Sequence, residues 1–338
     1  MSAPSLRWCL VGASDFAATS IAPAIAAQPD AIVASVVSGD RARAQALADG
    51  WDARGYDDLA KALDDPAIDV AYVSSINSRH YEHALAAINA GKHVLCEKPL
   101  ALSVAHAQGL VDAAARAGVV FATNHHMRNS VPHELMRRAI AAGDIGTPVA
   151  AIVQHAVQLP AAAQRWRTTD PDAGAGVALD ITVHDVDSLR FVLDDDPTTV
   201  QAYTSSGLMT QPGIDETITG TAEFGRGTHV GFLESFVTGH TATRLDILGT
   251  DGALLGTGIQ SMSPVGTLTH VRGRDHTPVD LGEREDLYTV GVRRFQAAVR
   301  GEGTPAATGA DGVWSVAFAL AALRSARTGR RENVQHSR

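Results

Sequence analysis

Residues 7–17 read RWCLVGASDFA, an apolar run that ends in glycine and continues with small and polar residues. Arg7–Val11 has the composition of a short buried strand, and the residues after Gly12 begin a helix that runs to about Ala27. A turn between a strand and a helix presents free backbone N–H groups and the positive end of the helix dipole. The sequence therefore predicts a phosphate-binding turn near the start of the chain.

This turn departs from the pattern Gly-x-Gly-x-x-Gly that is typical of dinucleotide sites. Gly12 occupies the first glycine position, whereas Ser14 and Ala17 occupy the second and third. Small residues still allow a pyrophosphate to approach the backbone, and the Ser14 hydroxyl can bind a phosphate oxygen. A tight turn without a cofactor is the alternative interpretation.

The first third of the chain alternates apolar runs with helical segments. Asp40 stands where a helix N-cap belongs, and glycines follow the predicted helices. Helices between strands indicate βαβ units and a parallel sheet with helices on both faces. We expect an N-terminal Rossmann domain, a doubly wound α/β fold, over residues 1–125, with further strands at Ile32–Val37, Val70–Val73, His93–Cys96 and Val119–Thr123.

Beyond residue 125 strand-like runs follow one another with short turns. The loop Gly225-Arg226-Gly227 between two runs is typical of a hairpin. This pattern predicts a C-terminal α/β domain over residues 126–338 with an open, largely antiparallel or mixed sheet, which we expect to bind the substrate. Such a half-exposed sheet could also pair with a second copy of the chain.

The composition excludes several classes of protein. Hydrophobic residues make up 45% and charged residues 19%, which is typical of folded domains rather than disordered chains. The net charge of −9 disfavours binding to nucleic acid or to an anionic membrane. Cys9 and Cys96 are isolated thiols within apolar runs, and no apolar window is long enough to cross a bilayer. We expect a cytoplasmic protein.

The end of the second strand distinguishes NAD from NADP, because this strand faces the adenosine ribose in Rossmann folds. Ser38 ends the strand, and Arg43 follows five residues later. A hydroxyl with a guanidinium suits a 2′-phosphate, which a carboxylate would repel. Asp40 is the competing ribose ligand, but helix capping explains it without a cofactor. The sequence thus favours NADP, with NAD as the less favoured cofactor.

Two further segments carry groups suited to proton transfer. Glu97-Lys98-Pro99 follows a parallel strand at its carboxyl end, where α/β sheets bind ligands, and Lys98 could polarise a carbonyl oxygen. A glycine-rich entry at 174–176 precedes a helix on which Asp180, His184 and Asp187 have the spacing i, i+4 and i+7. A carboxylate one turn from an imidazole suits a general acid or base. A metal site at these three residues, or a capping Asp180 with an incidental His184, are the alternatives.

Other polar residues follow the strands on the same side. Asn77 and His80 come after the third clear strand, and His125 and His126 come after the last strand of the first domain. Asn77 and His80 could touch the nicotinamide half of a cofactor or cap the following helix, and one of the two adjacent histidines could line the cleft. Neighbouring side chains on an extended segment point in different directions, so we expect at most one of the two adjacent histidines to line the site.

These motifs together resemble the glucose–fructose oxidoreductase/inositol dehydrogenase (Gfo/Idh/MocA) family over nearly the whole chain. Within that family they are most similar to the reductases of 1,5-anhydro-D-fructose. The segments that carry the resemblance are Val11–Ser14, Ser75–His80, GKHVLCEKPL at 91–100, Thr123–Asn129, His155–Pro160, Leu179–Asp185 and Gly309–Gly312.

The resemblance implies a role for individual positions. Lys98 and His184 match the family's catalytic pair, with Asp180 beside them, and Lys98, His125, Trp166, Asp180 and His184 would contact the substrate. Phe16 and Asp15 depart from the small residues expected after Ser14, and Arg79 adds a positive charge near the cofactor. The positions expected to bind the cofactor are Gly12, Ala13, Ser14, Asp15, Phe16, Ser38, Arg43, Ser75, Asn77, His80, Glu97, Lys98, Asn124, Trp166, Arg167 and Tyr288.

The resemblance further implies NADPH-dependent reduction of a sugar-derived ketone, with 1,5-anhydro-D-fructose giving a 1,5-anhydrohexitol, and no metal. A dehydrogenase of an anhydrosugar, an inositol or an aldose would use the same fold and the same groups. A non-catalytic, nucleotide-sensing regulator is a third class, since such folds also serve as binding modules. Such a regulator could dispense with the lysine and histidine that this chain retains.

Overall fold

The computed structural model describes residues 5–335; the outermost residues of the two predicted domain ranges, and the last part of the polar C-terminus, lie outside the described residues. The α-helices in chain order are α1 (Ala22–Ala26), α2 (Arg41–Asp49), α3 (Leu59–Leu63), α4 (His80–Asn89), α5 (Val104–Ala117), α6 (Val131–Ala141), α7 (Ala161–Gln164), α8 (Val183–Leu193), α9 (Leu287–Val299) and α10 (Gly309–Thr328). The strands are β1 (Leu6–Val11), β2 (Ala31–Val37), β3 (Arg54–Tyr56), β4 (Val70–Val73), β5 (His93–Cys96), β6 (Phe121–Thr123), β7 (Pro148–Ala156), β8 (Pro197–Ser205), β9 (Thr217–Phe224), β10 (His229–Ser235), β11 (Arg244–Gly249), β12 (Ala253–Thr257), β13 (Thr267–Arg272), β14 (Asp275–Pro278) and β15 (Glu332–Asn333).

The chain divides into two units, which are described in turn. The first unit contains the residues up to His126 and the segment Asp286–Val313. The second contains Met127–Glu285 and the residues from Trp314 onward. The sequence placed the division after residue 125 and assigned the whole of the later chain to the second domain.

The first unit is built on a six-stranded parallel sheet in the order β3-β2-β1-β4-β5-β6. This order confirms the expected doubly wound Rossmann fold, and its direction of winding reverses between β1 and β4. Ligands in such sheets bind outside the carboxyl ends of the strands at this reversal. The turn after Val11 and the loop after Val73 are the segments that meet there.

Local capping explains why the predicted helices begin and end where they do. The Asp40 carboxylate accepts hydrogen bonds from the N–H groups of Ala42 and Arg43, so it is the N-cap of α2, as expected. Ser103 caps α5, and Gly118 ends it in a left-handed conformation that glycine adopts without strain. The sequence did not reveal β3 and α3, which are only three and five residues long.

The segment Asp286–Val313 packs with the first unit because its helix α9 presents apolar residues to α1 and to the sheet. Val292 and Phe295 are buried in one cluster with Trp8 and Ile25. The rings of Trp8 and Phe295 are 5.6 Å apart. Chain order alone therefore misplaced this segment, since no sequence feature marks a return to the first core.

The second unit is built on a nine-stranded sheet in the order β14-β13-β12-β11-β7-β10-β9-β8-β15. Only β7 and β10 pair in parallel, and the remaining neighbours are antiparallel, which confirms the expected mixed sheet. Alternate residues of β7 and β10, such as Val153 and Phe232, enter a core that also holds Val186 of α8 and Phe318 of α10. The helices therefore cover one face of the sheet.

No helix among residues 5–335 is long and apolar enough to cross a membrane.

Candidate active site

The turn after β1 makes a close approach to the loop after β4. Gly12 has φ +123°, and a Cβ at this position would lie 2.8 Å from the backbone of Ser74 and Ser75. Only glycine fits, because any larger residue would meet fixed backbone atoms and would be strained as well. The two loops thus pack backbone against backbone at the point where the sheet order reverses.

The residues after Gly12 combine a capped turn with an aromatic contact. Ser14 accepts a hydrogen bond from the N–H of Ala17 at 3.0 Å, and its own O–H can still donate. Ala13, Ser14 and Phe16 are partly exposed, and Asp15 is exposed. The Phe16 ring meets the edge of Tyr288 at 5.2 Å between ring centres. Phe16 is therefore accommodated by an aromatic neighbour, and its departure from the family pattern leaves the turn intact.

Ser38 and Arg43 lie together at the end of β2. Arg43 donates from Nε to the Ser38 hydroxyl oxygen at 3.0 Å, and Asp40 turns away to cap α2. Burial is nearly complete at Ser38, whereas Arg43 is exposed. The Ser38 hydroxyl can donate to an anion, and the Arg43 guanidinium adds further donors and a positive charge.

A hydrogen-bonded group of three side chains lies at the ends of β4, β5 and β6. The Tyr72 hydroxyl donates to Glu97 Oε1, which also accepts from Asn124 Nδ2 at 2.5 Å. Burial raises the pKa of the Glu97 carboxyl, while hydrogen bonds from Tyr72 and Asn124 act in the opposite direction. Lys98 follows directly, and its N–H donates to Glu97 Oε2 at 3.3 Å. Tyr72 is an addition to the residues that the sequence indicated.

His80 joins the loops after β4 and β5. Its Nδ1 lies 2.7 Å from the Pro99 carbonyl oxygen, and its Nε2 lies 2.9 Å from the Ser75 carbonyl oxygen. Burial lowers the pKa of His80 to about 4, so at neutral pH it is a neutral ring. The structure thus shows His80 joining the backbone just after Lys98 to the loop after β4. Asn77 is also buried in this region.

His125 and His126 are both buried at the end of β6, and His126 packs at 5.1 Å from the Tyr288 ring. Burial raises the pKa of the Tyr288 hydroxyl, and the negative charge of Glu97 adds to this effect. Tyr288 therefore contacts the predicted cofactor turn through Phe16 and the end of β6 through His126. The sequence had indicated Tyr288 only through the family resemblance.

In the second unit, a widened turn carries Asp180 into α8. Residues Ala178–Thr182 form a π-helical turn, and His184 follows in the first turn of α8. Asp180 lies 3.4 Å from Arg167 Nε, and the Arg167 guanidinium stacks over the Trp166 ring at 4.5 Å. Trp166, Arg167 and Asp180 thus form one cluster. The family resemblance assigns all three residues to the site.

The segment that carries Asp180, His184 and Asp187 is not a single α-helix. Asp180 lies in the π-helical turn, whereas His184 and Asp187 lie in α8, so the α-helical spacing holds only from His184 to Asp187. Asp187 is buried and receives two hydrogen bonds from Arg128, at 2.8 and 2.7 Å. It forms a buried ion pair with Arg128. Among the described residues, no three or more His, Cys, Asp or Glu side chains are arranged to hold a metal ion.

Three buried carboxyl groups were not predicted from the sequence. Asp215 caps the start of the π-helical turn, accepting from the Ala178 N–H at 2.7 Å. Asp185 and Glu234 lie beneath its end, and both are almost fully buried. The sequence signal for Glu234 is its position in β10 (HVGFLES). It occupies one of the alternate strand positions that are otherwise filled by buried apolar side chains.

Known proteins resemble this chain along its whole length. Residues 6–125 match the model for the oxidoreductase family with an NAD-binding Rossmann fold, and residues 133–255 match the GFO/IDH/MocA C-terminal domain. The 1,5-anhydro-D-fructose reductase of Ensifer adhaerens is 43% identical over 332 residues, covering 97% of this chain and 98% of that protein. The chain belongs to the Gfo/Idh/MocA family. It is an oxidoreductase with a nicotinamide-dinucleotide-binding Rossmann domain.

Other known proteins match nearly the whole chain at lower identity. Inositol 2-dehydrogenase 2 of Saccharopolyspora erythraea is 32% identical over 330 residues, covering 95% of this chain and 93% of that protein. The structure of the aldose-aldose oxidoreductase from Caulobacter crescentus matches with a TM-score of 0.89 at 20% identity, covering 97% of this chain and 99% of that one. This last likeness establishes the fold, and the sequence relatives establish the family.

Proposed function

We propose that this protein reduces a sugar-derived ketone with NADPH, and that 1,5-anhydro-D-fructose, converted to a 1,5-anhydrohexitol, is its substrate. The observation that carries the proposal is the 43% identity to the Ensifer adhaerens reductase across essentially the full length of both proteins. The groups that such a reaction needs are all present in this chain. They are a glycine turn between a strand and a helix for a dinucleotide, a lysine after a parallel strand, and a carboxylate and an imidazole on one helical segment.

The residues around the first turn fit NADPH. The pyrophosphate would lie on the Gly12–Ser14 turn, where β1 leads into a helical segment whose first backbone N–H groups can bind an anion. The 2′-phosphate would bind between Ser38 and Arg43, which offer a hydroxyl and a guanidinium 3.0 Å apart. The remaining contacts assigned to the cofactor are Ala13, Asp15, Phe16, Ser75, Asn77, His80, Glu97, Lys98, Asn124, Trp166, Arg167 and Tyr288. When bound, NADPH supplies the hydride that the reduction consumes.

Lys98 and His184 have separate roles in this proposal. The Lys98 ammonium donates a hydrogen bond to the carbonyl oxygen of the substrate and stabilises the negative charge that develops there. His184 gives a proton to the same oxygen, so the carbonyl becomes a hydroxyl as its carbon gains the hydride. Asp180 orients these groups and accepts hydrogen bonds from substrate hydroxyls, and its contact with Arg167 holds it in place. His125 and Trp166 would complete the substrate contacts.

Two substitutions test these roles. Lys98→Met removes the ammonium and His184→Asn removes the titrating ring, and each keeps a similar side-chain volume. Each variant should lose about 10²- to 10⁴-fold in kcat/KM, because positioned acid–base groups usually contribute that much. NADPH binding, followed by fluorescence, should persist in His184→Asn. Retention of near wild-type kcat/KM in both variants would contradict the assignment.

A dehydrogenase that oxidises an inositol, an aldose or an anhydrosugar is the second candidate function. It is favoured by the 32% identity to the inositol 2-dehydrogenase 2 of Saccharopolyspora erythraea. Substrate choice among polyols depends on a few hydroxyl-reading contacts, which the shared fold does not distinguish. Reduction of NAD⁺ with myo-inositol, in the absence of NADPH oxidation with 1,5-anhydro-D-fructose, would establish this alternative.

We also propose that the exposed face of the nine-stranded sheet pairs with a second copy of the chain. Its surface includes the apolar side chains of Ile152, Tyr203 and Leu233, which are 48%, 64% and 38% exposed. Exposed apolar residues clustered on a flat sheet are typical of interaction surfaces. Light scattering should give a mass above 35.4 kDa, and Leu233→Lys should lower it. A monomer at micromolar concentrations would contradict this proposal.

A further inference from the structure

A cluster of buried polar side chains lies beneath the turn that carries Asp180 and His184. Asp185, on α8, accepts hydrogen bonds at Oδ1 from His155 Nδ1 at 2.9 Å and from Gln260 Nε2 at 2.6 Å. His155 lies on β7, where it is the register partner of Glu234 on β10. Asp185 and Glu234 are 1% and 0% exposed, so both carboxyl groups are shielded from bulk solvent.

Glu234 contacts both the helix and the turn before it. Its Oε2 accepts from the Thr182 hydroxyl at 3.0 Å, and the Asp185 carboxylate is its charged neighbour. Glu234 Oε1 and Asp185 Oδ2 are buried and have no hydrogen-bond partner among the described residues. Two ionised carboxylates cannot form a hydrogen bond with each other, because neither carries a proton. A single proton between the two carboxyl groups would give both unpartnered oxygens a hydrogen bond.

We propose that Glu234 is held as a neutral carboxylic acid that donates its proton to the Asp185 carboxylate, and that this pair positions the turn bearing Asp180 and His184. The positioning half of this inference rests on the proposed catalytic role of His184. The protonation half stands on the buried contacts alone.

Hydrogen bonding shows which carboxyl keeps the proton. Asp185 accepts from two N–H donors at one oxygen, and that favours its ionised form, whereas Glu234 accepts from a single hydroxyl. Burial raises the pKa of Glu234 well above its usual range, and the negative charge of Asp185 raises it further.

Few other ionisable groups face the pair. His155 does so from β7, and His133 of α6 reaches it through Gln260, to which it lies at 2.6 Å. Asp187 lies on α8 with Asp185, in the ion pair with Arg128. The β9 residue in register with Glu234 is Ile218, which is apolar. No described cation pairs directly with Glu234.

The turn is held at both ends by buried carboxyl groups. At its start, Asp215 Oδ2 accepts from the Ala178 N–H at 2.7 Å, and a Cβ on Gly176 would collide with that carboxylate. At its end, Thr182 is tied to Glu234, and Asp185 follows His184 directly. A π-helical turn has a poorer internal hydrogen-bond pattern than an α-helix, so outside anchors define its shape. Glu234 is thus a positioning residue for the segment that presents Asp180 and His184.

The first experiment compares wild type with Glu234→Gln by thermal melting from pH 5 to pH 8. A glutamine amide donates to Asp185 and accepts from Thr182, so it reproduces the neutral acid without a titrating proton. The folded wild type keeps a proton that the unfolded chain releases above about pH 4.5, so its stability falls as pH rises. Glu234→Gln should therefore melt at a higher temperature than wild type at pH 8, with a gap that shrinks toward pH 5.

A gap that does not change with pH, or a Glu234→Gln variant less stable than wild type at pH 8, would overturn the protonation half. Glu223→Gln is the matched control, because Glu223 lies on the neighbouring strand β9 and is paired only at the surface, with Arg331 at 3.8 Å. It should melt in parallel with wild type across this range.

The second experiment measures amide hydrogen exchange over residues 178–186 together with steady-state kinetics. Glu234→Leu removes the anchor, so exchange in this segment should rise at least about tenfold and kcat should fall, while KM for NADPH stays within about twofold. Glu234→Gln should restore both values to near wild type. Unchanged exchange and unchanged kcat in Glu234→Leu would overturn the positioning half.

The two experiments distinguish a failure of the Glu234 inference from a failure of the proposed function. If wild type turned over no sugar ketone, the proposed function would fail, and the exchange comparison and the pH series would still decide the inference. If Glu234→Leu did not fold, the Glu234→Gln variant would decide the inference. Wild-type hydrogen exchange over residues 178–186, together with a melting-temperature difference that grows toward pH 8, would support the inference. Faster exchange over these residues would overturn it.

Discussion

Arg43→Ala is the perturbation that most directly probes the cofactor site. Arg43 lies at the end of β2 with its Nε 3.0 Å from the Ser38 hydroxyl oxygen, and the Asp40 carboxylate is occupied in capping α2. The substitution removes the guanidinium and leaves the α2 cap intact, because Asp40 receives the backbone N–H of residue 43. The fold of the first unit should therefore be preserved.

The size of the effect follows from the contact that is lost. A hydrogen bond to a charged group is worth about 1.5–3 kcal/mol, which corresponds to about 10- to 150-fold in affinity. KM for NADPH should rise by that factor. KM for NADH should stay within about twofold, because NADH has no 2′-phosphate. The value of kcat should not change, since the adenosine end contributes equally to ground-state and transition-state binding.

Steady-state kinetics with both coenzymes, at fixed saturating substrate, measure this effect. Arg41→Ala is a matched control, because Arg41 lies on the same helix, carries the same charge and pairs at the surface with Asp57 at 3.8 Å. It should leave both KM values unchanged. A rise below about threefold for NADPH, an equal rise for NADH, or an equal effect of Arg41→Ala would refute the assignment of Arg43 to the 2′-phosphate.

Further predictions concern coenzyme choice and stability. Ser38→Asp should lower the ratio of kcat/KM for NADPH to that for NADH by about 100-fold, because its carboxylate repels a 2′-phosphate and accepts from a ribose hydroxyl; an unchanged ratio would count against the site. Arg128→Met should lower the free energy of unfolding by about 3–5 kcal/mol in urea, since it leaves buried Asp187 without its bidentate partner, whereas exposed Arg138→Met should cost less than about 1 kcal/mol. Burial lowers the pKa of His133 to about 4, so its contribution is present above about pH 6.5 and is lost as the pH falls; wild type should lose about 2 kcal/mol more than His133→Gln between pH 7 and pH 5 in urea titrations.

Local sequence signals were sufficient for most of the first unit. The apolar runs at 70–73 and 93–96 and the caps Asp40 and Ser103 gave element bounds that the structure confirms, because each signal acts within a few residues. The return of Asp286–Val313 to the first unit was missed, because it depends on a core assembled from residues far apart in the chain.

The same distinction applies to the site. The Gly12 turn and the Ser38/Arg43 pair were predictable, since each reports a constraint within one βαβ unit. The π-helical turn at 178–182 was not, because long-range contacts to Asp215 and Glu234 replace the α-helical pattern that the spacing suggested. A buried carboxyl group can be recognised in the sequence only where it occupies one of the alternate strand positions whose side chains face the core.

The most direct test of the proposed function is the change in coenzyme absorbance when 1,5-anhydro-D-fructose is added to the purified protein with NADPH and, separately, with NADH. Rapid NADPH oxidation that yields a 1,5-anhydrohexitol, with much slower NADH oxidation, is the predicted result. No oxidation of either coenzyme, together with reduction of NAD⁺ by an inositol or an anhydrosugar, would contradict the proposal and make the protein a dehydrogenase.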